Sequence, residues 1–173
     1  MKIDFSKYKS PIFLETGSYL GDGISAAIQA GFEEIYSIEL SRKYYEHCKR
    51  KFSRNPNVHI IFGDSALMLS SVIAPIDRKI TFWLDGHYSS GDTACGTYKV
   101  PLIYELEQMK AHPIKAHTIL IDDIRLLRTK QNEFCDVKEC VSDVENIITS
   151  INRDYTITYI DGITSNDIMV AQV

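Results

Sequence analysis

Three aspartates follow two apolar stretches of the chain. Asp85 comes directly after "KITFWL", and Asp122 and Asp123 come directly after "HTILI". If both stretches are neighbouring strands, the carboxylates meet at one sheet edge and repel one another unless something compensates them. A hard divalent cation can do so, because Mg²⁺ takes a few carboxylates together with water and substrate oxygens. We therefore predict a divalent metal site, for Mg²⁺ or else Mn²⁺, at Asp85, Asp122 and Asp123.

Two other arrangements would satisfy the same aspartates without a metal ion. Asp123 can pair with Arg125 or Arg128, which lie a few residues further along the chain. Asp85 can accept hydrogen bonds from the backbone of the turn at Gly86, as aspartates in turns commonly do. The sequence leaves both arrangements open beside the metal site.

The segment "IFLETGSYLGDGIS" at residues 12–25 is a second feature with chemical meaning. Glycines after a first strand let the backbone approach a ligand closely. The G-x-G-x-x-G spacing that cradles a pyrophosphate is absent, and Glu15 stands two residues before the first glycine. An acid at this place suits a ligand with a cationic amino group. Close packing of a strand against a helix would also explain the glycines.

Apolar runs of strand length alternate with amphipathic runs of helix length, which is typical of βαβ units. The last two runs are joined by "DGITSND", which leaves no room for a helix and predicts an antiparallel hairpin. We predict an α/β fold with a Rossmann-like, doubly wound, seven-stranded sheet, mostly parallel with a C-terminal antiparallel hairpin. The predicted strands are Ile12–Glu15, Ile35–Leu40, Val58–Phe62, Lys79–Leu84, His117–Ile121, Tyr155–Ile160 and Ile168–Val173.

Capping residues and prolines predict where several helices begin. Ser41 and Asp64 are suitable N-caps, and Pro101 opens a helix. Asp136 and Glu139 form a box-like start for the last helix. The segment "GHYSSGDTACGTYK" has no periodicity and is predicted to be a long loop, a kind of segment that is often functional.

The composition and net charge of the chain favour some classes of binding partner over others. The chain has 173 residues, 45% of them apolar, and we predict one domain over residues 1–173. A net charge of -4 argues against a nucleic acid partner and favours a small molecule. We find no signal-peptide core or membrane-spanning run and expect a cytoplasmic protein without a membrane partner, with a homo-oligomer left open. The four cysteines lack metal or disulfide spacing, so we expect buried free thiols.

The segment "ETGSYLG" resembles the first motif of class I S-adenosylmethionine-dependent methyltransferases, and its E-x-G-x-x-x-G spacing is similar to the catechol and macrocin O-methyltransferase-like branch. The resemblance covers nearly the whole chain. "SIEL" ends the second strand with the acid that binds both ribose hydroxyls in that family, and "GDS" stands where the family contacts adenine. The implied S-adenosylmethionine ligands are Glu15, Gly17, Ser18, Tyr19, Gly21, Glu39, Leu40, Asp64, Ser65 and Asp85.

The resemblance also implies the divalent metal site, because this branch has an acid after strand four and an acidic or amide pair after strand five. Some members have a lysine base three residues after the strand-four acid, where this chain has Tyr88. His87 is the nearest substitute, and we predict it as the general base, with Asp85 as the second catalytic residue. A metal-ligand or loop role for His87 stays open.

The expected function is methyl transfer from S-adenosylmethionine to a hydroxyl of a small molecule, such as a sugar or a natural product, assisted by a divalent metal. One alternative is a metal-independent methyltransferase that acts on nitrogen or a carboxylate. Another is a non-catalytic module that binds the cofactor or a nucleotide. Metal dependence of turnover separates the first two, and cofactor binding without product from any acceptor favours the third.

Overall fold

The structure, a computed structural model, describes residues 3–128 and 140–173 of the chain. Its strands are β1 Ile12–Thr16, β2 Glu34–Glu39, β3 Val58–Phe62, β4 Ile80–Leu84, β5 Thr118–Ile121, β6 Thr156–Ile160 and β7 Ile168–Gln172. They form one sheet of seven strands in the order β3-β2-β1-β4-β5-β7-β6. The predicted fold class is confirmed, and each strand bound lies within one residue of its prediction.

The order of the parallel strands decides where a ligand site can form. β1 lies between β2 and β4 and is parallel to both. The sheet continues from β2 to β3 on one side and from β4 to β5 on the other. In open α/β sheets, ligands bind beyond the carboxyl ends of the strands where the order reverses. The segments after β1, β2, β4 and β5 therefore share one edge, next to this reversal.

The C-terminal hairpin closes the sheet on its other side. β7 inserts between β5 and β6 and is antiparallel to both, as the short connecting segment predicts. All residues of β1 and β4 are buried, because helices cover both faces of the centre of the sheet. This explains why the central strands are continuous apolar runs.

Helices cover both faces of the sheet. They are α1 Asp22–Ala30, α2 Arg42–Lys51, α3 Ser65–Ile73, α4 Leu102–Ala111, α5 Arg125–Arg128 and α6 Val141–Ile151. One apolar core lies between the sheet and α3, α4 and α6, and a second lies between the sheet and α1 and α2. Among the described residues, no helix is both long and apolar enough to cross a membrane.

Several predicted helix starts are confirmed. Asp64 is the N-cap of α3 and accepts a hydrogen bond from the backbone of Ala66. Pro101 is the N-cap residue of α4, and Ser41 is the N-cap residue of α2, although its side chain makes no capping bond.

The start of the last helix differs from its prediction. The predicted box of Asp136 and Glu139 lies outside the described residues. The described helix α6 begins after Cys140, whose backbone is extended and whose N–H donates to the Asp143 carboxylate at 2.7 Å. The extended Cys140 is the N-cap residue, so the described helix starts at Val141, later than predicted.

The expectation of buried thiols is correct for only one of the described cysteines. Cys48 is buried in α2, whereas Cys95 and Cys140 are exposed. Cys95 lies in the loop before α4 and Cys140 precedes α6, so neither is on an apolar face of a regular element. Cys135 lies outside the described residues.

Candidate active site

A cavity of about 330 Å³ lies at the carboxyl ends of β1, β2 and β4. Its size falls in the range of small-molecule and cofactor sites, about 300–1,000 Å³. The loop before α4 forms much of one wall, as expected for a long loop with a functional role. The predicted site residues that line the cavity are Gly17, Tyr19, Glu39, Leu40, Asp64, Ser65, Asp85 and His87.

The floor of the cavity is formed by a close approach of two strand ends. Gly17 has a φ of +85°, and a Cβ on it would lie 2.5 Å from the carbonyl oxygen of Asp85. Glu39 is 6% exposed, and its two carboxylate oxygens accept hydrogen bonds from the backbone of Tyr19 at 2.9 Å and of Ser41 at 2.6 Å. The Glu39 carboxylate is therefore held in a fixed orientation at the cavity wall.

Three of the predicted cofactor ligands are not among the described residues that line this cavity: Glu15, Ser18 and Gly21. Side chains alternate along a strand, and Glu15 points towards α1, where it contacts Gly23. Glu15 is 1% exposed, and the Ser37 hydroxyl donates to its carboxyl group at 2.7 Å. Burial raises the pKa of Glu15 to about 8, in spite of this hydrogen bond. Its role as a cofactor ligand stays a prediction.

Asp64 connects the start of α3 to the long loop. One carboxylate oxygen accepts from Ala66 N–H at 3.0 Å, and the other accepts from Thr97 N–H at 2.9 Å. The capping role that the sequence allowed for Asp64 is thus confirmed. A second link to the loop is the ion pair between Lys43 of α2 and Asp92, with Nζ and Oδ2 2.6 Å apart.

His87 lies between two of the predicted aspartates. Its Nδ1 is 3.4 Å from Asp85 Oδ1, and its Nε2 is 3.1 Å from Asp123 Oδ2. One ligand atom from each of these three residues lies within 4.8 Å of the other two, a spacing suitable for a shared metal ion. The other oxygen of Asp123 accepts from the guanidinium of Arg125. The pairing of Asp123 with Arg125 that the sequence left open is therefore present, together with the contact to His87.

The C-terminal hairpin fixes Arg125. Asp167 is fully buried and accepts from both the backbone N–H and the guanidinium of Arg125. The carbonyl of Asp167 accepts from Ile124 N–H at 2.9 Å. Asp123 itself has a φ of +57°, a left-handed conformation that is uncommon for a residue with a side chain. The loop after β5 is thus held by the turn before β7.

The ionisation of the cluster follows from burial and mutual proximity. Burial raises the pKa of Asp85 well above its usual range, against the opposing effect of His87. Burial alone would lower the pKa of His87, but Asp123 and Asp85 outweigh it and raise the pKa. Burial would raise the pKa of Asp123, but hydrogen bonds from His87 and Arg125 lower it. Asp123 is therefore the carboxylate of the cluster that stays ionised most readily.

Asp122 takes a different position from the other two aspartates. Its Oδ1 accepts from the backbone N–H of Asp123 at 2.9 Å, and burial raises its pKa to about 6. It lines a second cavity of about 30 Å³, which also adjoins His87 and Asp123. Within the described residues, the three-residue cluster contains His87 and not Asp122. Asp122 as a metal ligand stays a prediction.

Glu105 of α4 is a residue near the site that the sequence interpretation missed. It is 1% exposed, its Oε1 has no hydrogen-bond partner among the described residues, and a Cβ on Gly86 would lie 3.3 Å from that oxygen. Burial raises the pKa of Glu105 to about 7. The available signal was its spacing, since it falls on the apolar face formed by Leu102, Leu106 and Met109.

No protein-family model matches the chain, and no curated protein matches its sequence. Solved structures do match. The O-methyltransferase TomG from Streptomyces achromogenes, involved in tomaymycin synthesis and solved with S-adenosylmethionine, aligns with a TM-score of 0.64 and 14% identity, over 98% of this chain and 75% of that chain. A putative caffeoyl-CoA O-methyltransferase from Staphylococcus aureus aligns with a TM-score of 0.62 and 10% identity, over 97% and 78%.

A third similar structure has a different kind of role. The fibrillarin pre-rRNA processing protein of Methanococcus jannaschii aligns with a TM-score of 0.62 and 15% identity, over 99% of this chain and 69% of that chain. Identities this low establish the fold alone. The fold is that of class I S-adenosylmethionine-dependent methyltransferases, as the sequence resemblance implied.

Proposed function

We propose that this chain, which has the class I methyltransferase fold, binds S-adenosylmethionine and transfers its methyl group to a hydroxyl oxygen of a small molecule. The observation that carries the proposal is the charge of the main cavity. Four acids line it, and none of its described lining residues is lysine or arginine; the acids are Glu39, Asp64, Asp85 and Asp92. Lys43 pairs with Asp92 and burial raises the pKa of Asp85, so the charge rests mainly on Glu39 and Asp64. A lining with acids and no cation of its own disfavours the phosphates of a dinucleotide and favours a ligand with sulfonium and ammonium cations.

The residues around the cavity can make the contacts with the cofactor that this proposal requires. Glu39 would accept the ribose hydroxyls, because each of its oxygens keeps a free lone pair after accepting one backbone N–H. Gly17 would let the cofactor approach the backbone at the carboxyl end of β1. S-adenosylmethionine supplies an electrophilic methyl group on a sulfonium. Since methyl transfer is an in-line displacement, positioning of the acceptor oxygen supplies much of the rate.

A small-molecule acceptor suits the charge of this chain better than RNA. TomG and the caffeoyl-CoA O-methyltransferase-like protein support this acceptor class, whereas the fibrillarin protein acts in pre-rRNA processing. The net charge of -4 and the acidic cavity disfavour the phosphates of a nucleic acid. We therefore assign the acceptor to hydroxylated small molecules.

The acceptor proton would be handled at the cluster of Asp85, His87 and Asp123. Two carboxylates and an imidazole fit a divalent cation. Such an ion, when bound, lowers the pKa of a coordinated hydroxyl. In a metal-independent reaction, His87 would take the proton while Asp123 orients the ring through the contact at 3.1 Å.

Calorimetry tests the cofactor assignment. We expect S-adenosylmethionine and S-adenosylhomocysteine to bind, and NAD⁺ to give no measurable heat. Glu39→Ala removes two charge-assisted hydrogen bonds of about 1–2 kcal/mol each and should weaken binding about thirtyfold or more. Glu46→Ala, in an exposed acid paired with Arg42 on α2, is the control and should leave affinity unchanged. Tight NAD⁺ binding without S-adenosylmethionine binding would refute the assignment.

Transfer of a labelled methyl group tests the reaction. The protein is incubated with labelled S-adenosylmethionine and a panel of hydroxylated metabolites and sugars, with amines and carboxylates as comparison acceptors. O-methylated product supports the proposal, and N-methyl or ester product supports the metal-independent alternative. Normal cofactor affinity with no product from any acceptor supports a non-catalytic module.

A further inference from the structure

The imidazole of His87 has the surroundings of a metal ligand. Its two nitrogens face carboxylate oxygens from two different loops, Asp85 after β4 and Asp123 after β5. Asp85 directly follows the buried strand β4, and Asp123 lies two residues after β5, which is buried except for Thr118. His87 lies at the start of the long loop. Asp85 and His87 also line the main cavity, which gives an ion a route of entry from solvent. The cluster therefore offers suitable ligand atoms at a place that a metal ion can reach from solvent.

The groups around this cluster orient its members. Metal-binding carboxylates and histidines are usually held by further hydrogen bonds, which fix their orientation. Arg125 holds one oxygen of Asp123 and leaves the other towards His87, and the buried Asp167 holds Arg125. The hydroxyl of Ser89 lies 3.0 Å from His87 Nε2, the nitrogen that also faces Asp123. Asp123 is thus the member of the cluster that Arg125 and Asp167 hold in place.

Asp122 stabilises the turn after β5, unlike Asp85 and Asp123, which face His87. Its Oδ1 accepts from the N–H of Asp123, a residue with a left-handed φ of +57°. This bond stabilises the turn that points Asp123 at His87. Asp122 therefore supports a ligand and does not itself join the cluster.

We infer that His87, and not Asp122, completes the metal site with Asp85 and Asp123, and that the site prefers a first-row transition ion such as Mn²⁺ over Mg²⁺. Mg²⁺ prefers an octahedron of oxygens, whereas an imidazole nitrogen favours transition ions. Two carboxylates and one imidazole leave positions open for water or an acceptor oxygen. The use of the ion in methyl transfer rests on the proposed function, but its binding does not. A His87 that coordinates a metal is not also the general base.

Metal titration of the full chain tests the inference. After treatment with a chelator, the protein is titrated with MnCl₂ and with MgCl₂ by calorimetry. We expect Mn²⁺ to bind at least about tenfold more tightly than Mg²⁺. Pulsed electron paramagnetic resonance of the Mn²⁺-loaded protein should show coupling to an imidazole nitrogen. This measurement on the unaltered chain needs no substitution that could disturb folding.

Two substitutions separate the alternative ligand sets. His87→Gln should lower Mn²⁺ affinity by at least about thirtyfold and remove the nitrogen coupling, whereas Asp122→Asn should cost about tenfold or less, as expected of a supporting group. His59→Gln is the matched control, because His59 is a partly exposed histidine paired with Glu34 at 2.7 Å, away from the site. His59→Gln should leave both the Mn²⁺ affinity and the nitrogen coupling unchanged.

Three results would overturn the inference: no Mn²⁺ binding, no nitrogen coupling, or a loss in Asp122→Asn as large as that in His87→Gln. Binding of S-adenosylmethionine to the metal-free protein is measured in parallel. Cofactor binding without Mn²⁺ binding refutes only the metal inference. Mn²⁺ binding without cofactor binding refutes only the proposed function.

Discussion

Gly17 and Gly91 both have a left-handed backbone, but their surroundings differ. Gly17 has a φ of +85° and Gly91 a φ of +60°. A Cβ on Gly17 would lie 2.5 Å from a backbone oxygen of Asp85, whereas a Cβ on Gly91 would meet nothing within 4 Å. The pair therefore separates the cost of the backbone conformation from the cost of the close approach.

Replacing each glycine by alanine should have unequal effects. Gly91→Ala should destabilise the protein by about 1–2 kcal/mol, the cost of a left-handed backbone. Gly17→Ala should cost about 1–3 kcal/mol more, because the Asp85 backbone must move. It should also weaken S-adenosylmethionine binding, which Gly91→Ala should not. Urea unfolding and calorimetry measure both effects, and equal losses of stability would contradict the argument.

At the scale of elements, two buried histidines connect α4 with β4 and β5. Ile80 N–H donates to His117 Nδ1 at 3.1 Å, so the proton of neutral His117 is on Nε2, which lies 3.0 Å from His112 Nδ1. His112 Nε2 in turn donates to the carbonyl of Ile76 at 3.0 Å. All three hydrogen bonds can form when both rings are neutral. A proton added to His117 Nδ1 would remove the acceptor of the Ile80 N–H and break that bond.

This pair predicts that His117 contributes less to stability in acid. Burial lowers the pKa of His117 from 6.5 to about 4. At this site the unfolded chain therefore takes up a proton between these values while the folded chain does not, so the contribution of His117 to stability falls by about 3 kcal/mol as pH decreases from 6.5 to 4. Glu15 and Glu105 act in the opposite direction, because their pKa values are raised to about 8 and about 7 and the folded chain binds their protons first. The difference in unfolding free energy between the unaltered protein and a His117 variant, measured in urea at pH 7 and pH 4.5, isolates the contribution of His117.

His117→Asn tests the cause, because asparagine keeps an acceptor and does not titrate. The variant should be less stable at pH 7, and its deficit relative to the unaltered protein should shrink towards pH 4.5, because only the unaltered protein loses the contribution of His117. His59→Asn, in a partly exposed histidine, should follow the unaltered protein. Parallel pH dependences in His117→Asn and the unaltered protein would show that His117 does not contribute to the pH dependence of stability.

The long loop is also an element-scale feature, since it covers the cavity and is tied to α2 by Lys43 and Asp92. Their side chains are 63% and 73% exposed, so solvent screens the ion pair and it holds the loop only weakly. Lys43→Ala should therefore speed release of S-adenosylhomocysteine by about two- to fivefold in stopped-flow measurements. The pair Arg78 and Glu33 has the same separation of 2.6 Å away from the loop, so Arg78→Ala is the control. An unchanged rate in Lys43→Ala would show that the loop opens without breaking this contact.

At the scale of the whole molecule, the net charge favours a small-molecule acceptor over RNA. The net charge is -4, whereas binding of RNA depends on neutralising phosphates with lysine and arginine. We expect structured RNA to bind more weakly than about 100 μM in fluorescence anisotropy at physiological salt, with or without S-adenosylhomocysteine. Micromolar binding that weakens steeply with salt would move the proposed acceptor from small molecules to nucleic acid.

The sequence by itself determined the fold and the strand ends that carry the site. Strand-length apolar runs, a short hairpin connection and the carboxylates after β4 and β5 are local patterns, and burial on both faces of the parallel strands forces the apolar runs. Only the tertiary structure decided which side chains meet. Side-chain alternation along β1 turned Glu15 away from the cavity, a left-handed backbone at Asp123 brought it to His87, and Asp167 from a distant turn fixed Arg125. These contacts join residues far apart in the chain, and no local pattern encodes them.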